Sequence, residues 1–285
     1  MKTFNQWMQA FTAPLLLIIL ASFSLASNAE TLPKHSPVPG GIAVIKLPAT
    51  EPLETPSAYY RDQRVMVKQL NSQWFAIVGI PLSATPGTHD ISTSTGQRIS
   101  FDITDKHYRE QRITLSNKRM VTPAPLDLDR IRSEKKLMQA AFKHWHDQPP
   151  ATLTFIKPVD GPYSSPFGLR RFFNDQPRNP HSGIDIAAPE GSPIRAPAAG
   201  VVTATGNYFF NGNTILLDHG HGLVSMFCHL SKTNVQEGEQ VNTADIIGEV
   251  RKTGRVTGPR LHWSVSLNNA RINPFLLMTD KSNEP

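Results

Sequence analysis

Beyond its first 30 residues, this 285-residue chain shows helical periodicity in a single stretch, and this limits the fold to one built mainly from strands. Between residues 40 and 115, and again between 151 and 278, short runs rich in β-branched residues are separated by Gly, Pro, Ser and Thr. Such runs are typical of antiparallel sheets. The sequence therefore predicts a mainly β protein, in which a small antiparallel β-sandwich and a connecting helix precede a second antiparallel β-sheet domain.

Composition excludes several classes of protein. An apolar content of 39% is sufficient for buried cores, so the chain is not disordered as a whole. A single cysteine excludes a disulfide scaffold and a zinc site built from thiolates. The net charge of +6 permits an anionic partner without identifying one, and we expect no nucleic acid as a partner.

The first 29 residues have the pattern of a secretory signal. Lys2 precedes an apolar run at 13–26, and Ser27 and Ala29 place small residues at the positions that a signal peptidase reads. We predict cleavage before Glu30 and export to the periplasm or cell envelope. The alternative is an uncleaved anchor, although the apolar run is short against the ~20 residues of a membrane span. No later segment is apolar enough to predict a transmembrane span.

The composition changes twice along the rest of the chain and divides it into parts. We predict a signal peptide at 1–29, a β-rich amino-terminal domain at 30–115, a linker with a connecting helix at 116–150, a second β domain at 151–278 and a tail at 279–285.

The linker contains the helical stretch. Asp127 is expected to cap this helix at its start. Charged residues interrupt the stretch, so we interpret it as a helix packed against a neighbouring domain and not as a membrane helix. The apolar residues that share one face of it are Leu128, Ile131, Met138, Phe142 and Trp145.

Two segments of the second domain carry residues that can bind a metal. His181 and Asp185 lie four residues apart in a glycine-containing stretch, and His262 lies in a strand-like run on the same face as Ser264. Two imidazoles and one carboxylate suit zinc and leave its fourth coordination position open for water. Zinc lowers the pKa of that water to about 7, so the pattern is suited to hydrolysis. The alternative interpretation is that these are hydrogen-bonded loop residues without a metal.

Longer motifs surround these residues. They are SPFGLR at 165–170, HSGIDIAAP at 181–189, GSPI at 191–194, APAAGVV at 196–202, GNT at 212–214, DHG at 218–220, HLS at 229–231 and TGPRLHW at 257–263. With these motifs in this order, residues 160–278 resemble the lysostaphin/LytM-type zinc metallopeptidases, which cut peptide cross-links in bacterial peptidoglycan. The resemblance implies a LytM-type peptidase domain at 151–278. The first domain resembles, less specifically, the β-rich domain that precedes this one in some periplasmic members.

The resemblance implies a role for each matching residue. His181, Asp185 and His262 match the three zinc ligands of the family, so we expect one Zn²⁺ per chain. His229 matches one of two non-ligand histidines that flank the metal-bound water. The second such histidine stands two residues before the last ligand, and that position here holds Arg260. The predicted catalytic residues are therefore His229 and Arg260.

Because of Arg260, the sequence is compatible with two functions. Arginine stays protonated in proteins, so it cannot accept a proton as a histidine does, although it can stabilise an oxyanion. The resemblance thus implies a zinc endopeptidase that hydrolyses peptidoglycan cross-links, weakened by this substitution. The alternative is a degenerate LytM-type module that binds peptidoglycan or activates a partner amidase. A lipoyl-type carrier is disfavoured, because the turn at 235–241 has no acceptor lysine.

The charge distribution adds two expectations. Most of the basic excess lies before residue 151, so we expect the amino-terminal domain to contact an anionic polymer of the envelope. In the second domain, Arg251, Arg255 and Arg260 predict a basic rim around the cleft. Arg170 and Arg171 have two open roles, which are the binding of substrate carboxylates and simple solvation.

Other polar residues are assigned no catalytic role. Strand alternation places Cys228 on the face opposite the site, as a buried structural thiol. A turn is predicted around His219 and His221, with structural or solvent-exposed roles for both. In latent members of the family an asparagine fills the fourth zinc position, and nothing in the sequence indicates whether Asn174 does so.

Overall fold

The structure, a computed structural model, describes residues 31–48, 55–256 and 258–278. The predicted signal peptide and tail lie outside the described residues. Within them the protein is mainly β, with antiparallel sheets and one α-helix, as the sequence predicts. No helix in this described part is both long enough and apolar enough to cross a bilayer.

Six strands build the amino-terminal domain. They are β1 (Ile42–Lys46), β2 (Ala58–Tyr60), β3 (Gln63–Leu70), β4 (Gln73–Gly79), β5 (Gly87–Thr93) and β6 (Arg98–Ile103). They pair antiparallel in the order β1-β4-β3-β2-β5-β6. One end of β3 pairs with β2 and the other with β4, so β3 joins the two halves of the sheet. Both halves bury side chains in one apolar core, for example Ala43 from β1 and Ile91 from β5.

A short strand, a 3₁₀ turn and the helix lead from the first sheet to the second. Strand β7 (Glu110–Ile113) is followed by a 3₁₀ turn (Lys118–Met120) and by α1 (Pro125–Lys143). Ala124 holds the N-cap position, so the prediction that Asp127 is the cap is wrong. Asp127 instead lies in the first turn, where its carboxylate accepts the backbone N–H of Ala124 at 3.2 Å. Proline at the first helical position leaves no N–H without a partner, which favours this start.

Twelve further strands follow the helix. They are β8 (Tyr163–Ser165), β9 (Arg170–Phe173), β10 (Gln176–Pro177), β11 (Ile184–Ala187), β12 (Pro193–Arg195), β13 (Gly200–Tyr208), β14 (Gly212–Gly220), β15 (Leu223–Thr233), β16 (Gln240–Val241), β17 (Ile246–Val250), β18 (Arg260–Leu267) and β19 (Ala270–Ile272). Ten of them form one antiparallel sheet whose central order is β16-β13-β14-β15-β18-β11-β8. Strands β9 and β10 form a separate sheet with β7, which pairs parallel to β9.

The two domains meet at an apolar interface, and hydrogen bonds between Asn268 and Gly79 join them beside it. Ile42 and Met66 of the first domain belong to the same apolar cluster as Leu267 of the second. Beside it, Asn268 binds Gly79 in both directions: the side-chain oxygen accepts the glycine N–H at 2.6 Å, and the side-chain amide donates to the glycine carbonyl at 3.0 Å. The amide of Asn268 therefore takes the place of a neighbouring strand at the end of β4.

Helix α1 covers one face of the large sheet. Phe142 is buried there in a cluster with Met226 and Cys228. Leu128 at the other end of the helix is 38% exposed, so the predicted apolar stripe is buried mainly toward the helix C-terminus. Trp145 lies beyond the helix end and stacks on His221, with ring centroids 5.2 Å apart.

Candidate active site

The register of two strands brings the predicted metal-binding residues together. Asp185 in β11 lies directly opposite His262 in β18, and opposed residues of an antiparallel pair project from the same face. His181 precedes β11 and is held by the segment before β9: its N–H donates to the carbonyl of Leu169, and its carbonyl accepts the N–H of Gly168. All three side chains therefore start from hydrogen-bonded backbone.

Three atoms from these side chains converge on one point. Oδ1 of Asp185 lies 3.0 Å from Nε2 of His181 and 2.8 Å from Nδ1 of His262, and the two nitrogens are 3.0 Å apart. Ligand bonds of about 2.0–2.1 Å to one ion require donor atoms at about such separations. The donor set of two imidazoles and one carboxylate, all with low exposure, thus forms a group that could hold a metal ion.

In His181 and His262, the ring nitrogen that faces away from the group is also hydrogen-bonded. Nδ1 of His181 donates to the carbonyl of Pro166 at 2.7 Å, and Nε2 of His262 lies 2.9 Å from the hydroxyl of Ser264. A carbonyl only accepts, so the proton of neutral His181 is on Nδ1 and the lone pair of Nε2 faces the group. Such outer hydrogen bonds are typical of histidines that bind metals.

The two oxygens of Asp185 have different surroundings. Oδ1 faces the histidines, whereas Oδ2 lies 3.3 Å from Nη2 of Arg171 and 3.6 Å from Nε of Arg260. Burial alone would raise the pKa of Asp185, but His181 and His262 outweigh it and hold that pKa well below its usual range. Burial lowers the pKa of His181 to about 4. The carboxylate is therefore ionised at neutral pH, the form in which it binds a metal.

His229 lies beside the group because β15 is irregular at this point. Its φ of +69° is in the left-handed region, and the pairing of β15 with β14 shifts register here. Nδ1 donates to the carbonyl of Thr253 at 2.7 Å, and the ring centroid lies 6.2 Å from that of His262. Burial lowers the pKa of His229 to about 3, so the ring is neutral with a lone pair on Nε2.

The same irregularity corrects the prediction for Cys228. Cys228 is directly opposite His262 in the β15–β18 pair and therefore lies on the same face of the sheet, not on the opposite one. Regular alternation fails because the left-handed residue His229 interrupts it. The prediction of a buried thiol is confirmed, and burial raises the pKa of Cys228 to about 12.

The predicted basic rim is only partly present. Arg251 is exposed, but Arg255 turns inward, with its guanidinium 4.8 Å from the ring of Phe173 and 4.3 Å from the ring of Phe210. Burial lowers the pKa of Arg255 to about 10. Arg260 points toward Asp185 and has 21% of its side chain exposed. The guanidinium groups nearest the candidate site therefore belong to Arg260 and Arg171.

Two other histidines have structural contacts. His219 is buried in β14, with Nδ1 2.8 Å from the carbonyl of Ala199 and Nε2 2.9 Å from the hydroxyl of Ser225. It lies in a strand and not in the predicted turn. His221 is in the turn, as expected, and stacks on Trp145.

Asn174 is tied to the segment that follows β7. Its side-chain oxygen accepts the N–H of Leu115 at 2.8 Å, and its amide donates to the carbonyl of the same residue at 3.1 Å. Both ends of the amide are used in this contact, so Asn174 fixes the turn between β9 and β10 to the chain that leaves β7.

Sequence reasoning missed Gln111 and left the role of Arg171 open. Arg171 donates to Asp185, to Ser165 and to Gln111. It directly follows the SPFGLR motif at 165–170, and this position is the signal that links it to the site. Gln111 lies in no motif and has no comparable signal.

Comparisons with known proteins identify the family. The profile described as "Peptidase family M23" matches residues 179–274, and "Peptidase family M23 N-terminal domain" matches residues 35–106. A solved structure, a putative peptidase M23 from Pseudomonas aeruginosa, superimposes with a TM-score of 0.72 and 42% sequence identity, over 85% of this chain and 95% of that chain. The chain therefore belongs to peptidase family M23, and the resemblance found in its sequence is confirmed.

Two curated relatives carry functional names. The DD-carboxypeptidase/endopeptidase Mpg of Neisseria meningitidis is 41% identical over 111 residues, which are 39% of this chain and 26% of the relative. The peptidoglycan DD-endopeptidase ShyA of Vibrio cholerae is 38% identical over 119 residues, 41% of this chain and 28% of the relative. The matched part thus spans about a quarter of the length of these relatives.

Proposed function

We propose that this protein is a zinc-dependent endopeptidase that hydrolyses peptide cross-links of bacterial peptidoglycan, with one zinc ion per chain. The observation that carries the proposal is the convergence of His181 Nε2, Asp185 Oδ1 and His262 Nδ1 within 3.0 Å of one another. The names of the two curated relatives support the substrate class. Such a substrate requires export, so we also propose that residues 1–29 direct the chain to the periplasm or cell envelope.

In this proposal the three converging side chains hold the metal. Zinc, when bound, supplies Lewis acidity toward a peptide carbonyl and toward water. The outer hydrogen bonds from His181 to Pro166 and between His262 and Ser264 keep the lone pairs aimed at the ion. The two arginines at Oδ2 balance the charge of Asp185.

His229 is the proposed proton acceptor and donor. Its ring is neutral, and the bond from Nδ1 to the carbonyl of Thr253 leaves Nε2 able to accept a proton. Arg260 cannot take this role because a guanidinium has no acceptor. It can instead stabilise negative charge that develops on the substrate, so we propose an active but weakened enzyme.

One observation favours a second candidate function. Arg260 directs Nε toward the carboxylate of Asp185, at 3.6 Å, and so places a cation where a proton acceptor would be useful. The alternative is therefore a degenerate module that binds peptidoglycan or activates a partner amidase.

We also propose that the basic amino-terminal half contacts an anionic envelope polymer.

Digestion of purified sacculi separates these functions. The exported chain, from residue 30, is incubated with sacculi, and the released muropeptides are analysed by chromatography and mass spectrometry. The endopeptidase predicts loss of cross-linked dimers and gain of monomers, and the masses identify the bond that is cut. An unchanged muropeptide pattern together with sedimentation of the chain with sacculi would support the binding module instead.

A further inference from the structure

We propose that Arg171 is a positioning residue for Asp185, and that strand β7 supplies the side chain, Gln111, that holds Arg171 in place. This inference rests on the proposed function, because its effect is expressed in the binding of the metal. It assigns to strand β7, in the segment before α1, a direct part in the order of the site.

Arg171 has three partners in different parts of the chain. Nη2 donates to Oδ2 of Asp185 at 3.3 Å and to the hydroxyl of Ser165 at 3.0 Å, and Nε donates to Oε1 of Gln111 at 3.1 Å. The arginine side chain is 18% exposed and the aspartate side chain 3% exposed. A planar guanidinium with donors in fixed directions is well suited to orient a buried carboxylate.

The orientation of Asp185 decides which oxygen faces the histidines. Oδ1 lies within 3.0 Å of a nitrogen of His181 and of His262, while Oδ2 faces Arg171. Without the hydrogen bond to Oδ2, the carboxylate could rotate about its Cβ–Cγ bond and move Oδ1 away from the histidines. Outer partners of this kind are typically worth about 10-fold to 100-fold in metal affinity.

Strand β7 fixes Arg171 through the register of the parallel pair. Gln111 lies beside Arg171, and Glu110 lies beside Arg170, one step earlier along the same two strands. Successive side chains of a strand point to opposite faces. Arg170 and Glu110 form an exposed ion pair at 3.4 Å, with side chains 56% and 43% exposed. The pair Gln111–Arg171 on the inner face of these strands can therefore be compared with the pair Glu110–Arg170 on their outer face.

Zinc affinity tests the proposal. Competition with a chromophoric chelator is measured on the exported chain for the wild type, Arg171→Gln, Arg171→Lys and Gln111→Ala, with Arg170→Gln as the control. We expect Arg171→Gln to weaken zinc binding about 10-fold to 100-fold. Arg171→Lys should restore part of the loss because it keeps the charge without the planar fork. Gln111→Ala should fall between the wild type and Arg171→Gln, and the control should stay within about twofold of the wild type.

Cobalt gives a second readout that a general loss of stability would not produce. The visible absorption of the Co²⁺-loaded chain reports the geometry of the ligands, so Arg171→Gln and Gln111→Ala should shift it and Arg170→Gln should not. Unfolding curves show which variants are folded. If Arg171→Gln does not fold, Arg171→Lys and Gln111→Ala still decide the question.

The outcomes distinguish this inference from the proposed function. If the wild type binds zinc and the folded variants of Arg171 and Gln111 bind it equally well or more tightly, the positioning role is wrong and the proposed function stands. If the variants weaken zinc binding but the wild type cuts no sacculi, the positioning role stands and the proposed function is wrong. A wild type that binds no zinc overturns both.

Discussion

Asp185 and His262 face each other across β11 and β18, with Oδ1 and Nδ1 2.8 Å apart, although 77 residues separate them in the sequence. Both lie in paired strands of the large sheet, where backbone hydrogen bonds fix their positions. His181 joins them from the loop before β11, with Nε2 3.0 Å from the same oxygen. The candidate site is therefore organised by strand register, which favours a preformed arrangement of donor atoms.

The proposed roles of His262 as a metal ligand and of His229 as a proton acceptor predict different effects on zinc content and on hydrolysis. In the proposed zinc enzyme, His262→Ala removes one of three donor atoms, so zinc and activity should be lost together. His229→Ala should keep one zinc per chain while hydrolysis falls about 10²-fold to 10⁴-fold, because only the proton acceptor is gone. Metal analysis of both variants after gel filtration, combined with digestion of sacculi, checks this. Zinc loss in His229→Ala would contradict the assignment.

Arg260→His should raise hydrolysis. In the proposed zinc enzyme, the substitution places beside the metal a group that can accept a proton, and such a group contributes about 10²-fold to 10⁴-fold in rate. We expect a gain of at least about tenfold in the initial rate of muropeptide release. Arg251→His is the control, since Arg251 is exposed and outside the group. A rate equal to that of the wild type would show that Arg260 is not a weakened catalytic position.

Asn268→Ala should destabilise the contact between the domains. It leaves the N–H and carbonyl of Gly79 without their partners at a buried site, which costs about 1–3 kcal/mol of unfolding free energy. Asn269→Ala is a matched control because both residues have positive φ, 42° and 62°, in the same turn. Urea unfolding measures both variants. If both variants lose the same free energy of unfolding, backbone strain in the turn accounts for the effect, and not the hydrogen bonds to Gly79.

His219 predicts a loss of stability in acid. Burial lowers its pKa to about 4, against about 6.5 in the unfolded chain. Between these values the unfolded chain binds a proton that the folded chain does not, so the free energy of unfolding falls as the pH drops from about 6.5 to about 4, by about 3 kcal/mol at most for this residue. Well above pH 6.5 the residue contributes no pH dependence.

Comparison with His219→Gln isolates this contribution. His181 and His229 act in the same direction but are present in both proteins, so their effects cancel in the difference. Urea unfolding is measured at pH 7, 6 and 5. The free energy of unfolding of the wild type minus that of the variant should decrease as the pH falls. A difference that stays constant would mean that His219 does not titrate as described.

The candidate ligands could be chosen from the sequence, because the choice depends on motifs, and period-two alternation predicted which residues around His262 share a face. His262 and Ser264 were expected on one face of a strand, and they are hydrogen-bonded to each other. Alternation failed at Cys228, which shares the face of His262. The reason is the left-handed conformation of His229, a property that no residue pattern of this stretch predicts.

The contacts of Arg171 lay beyond sequence reasoning for another reason. Gln111 and Arg171 are 60 residues apart and meet because β7 pairs parallel to β9. A strand pattern indicates which residues share a face, but it does not specify which strands become neighbours. For the same reason, the sequence did not indicate that Asn268 binds Gly79 across the boundary between the domains.

Zinc reconstitution tests the proposed zinc-dependent hydrolysis most directly. The chain is freed of metal with a chelator, zinc is added back in steps, and the release of monomeric muropeptides from sacculi is measured at each step. We predict no release without metal and a rise that ends at one zinc per chain, with no recovery for Asp185→Asn. Equal release by the metal-free chain, or by Asp185→Asn, would contradict a role for zinc at this site.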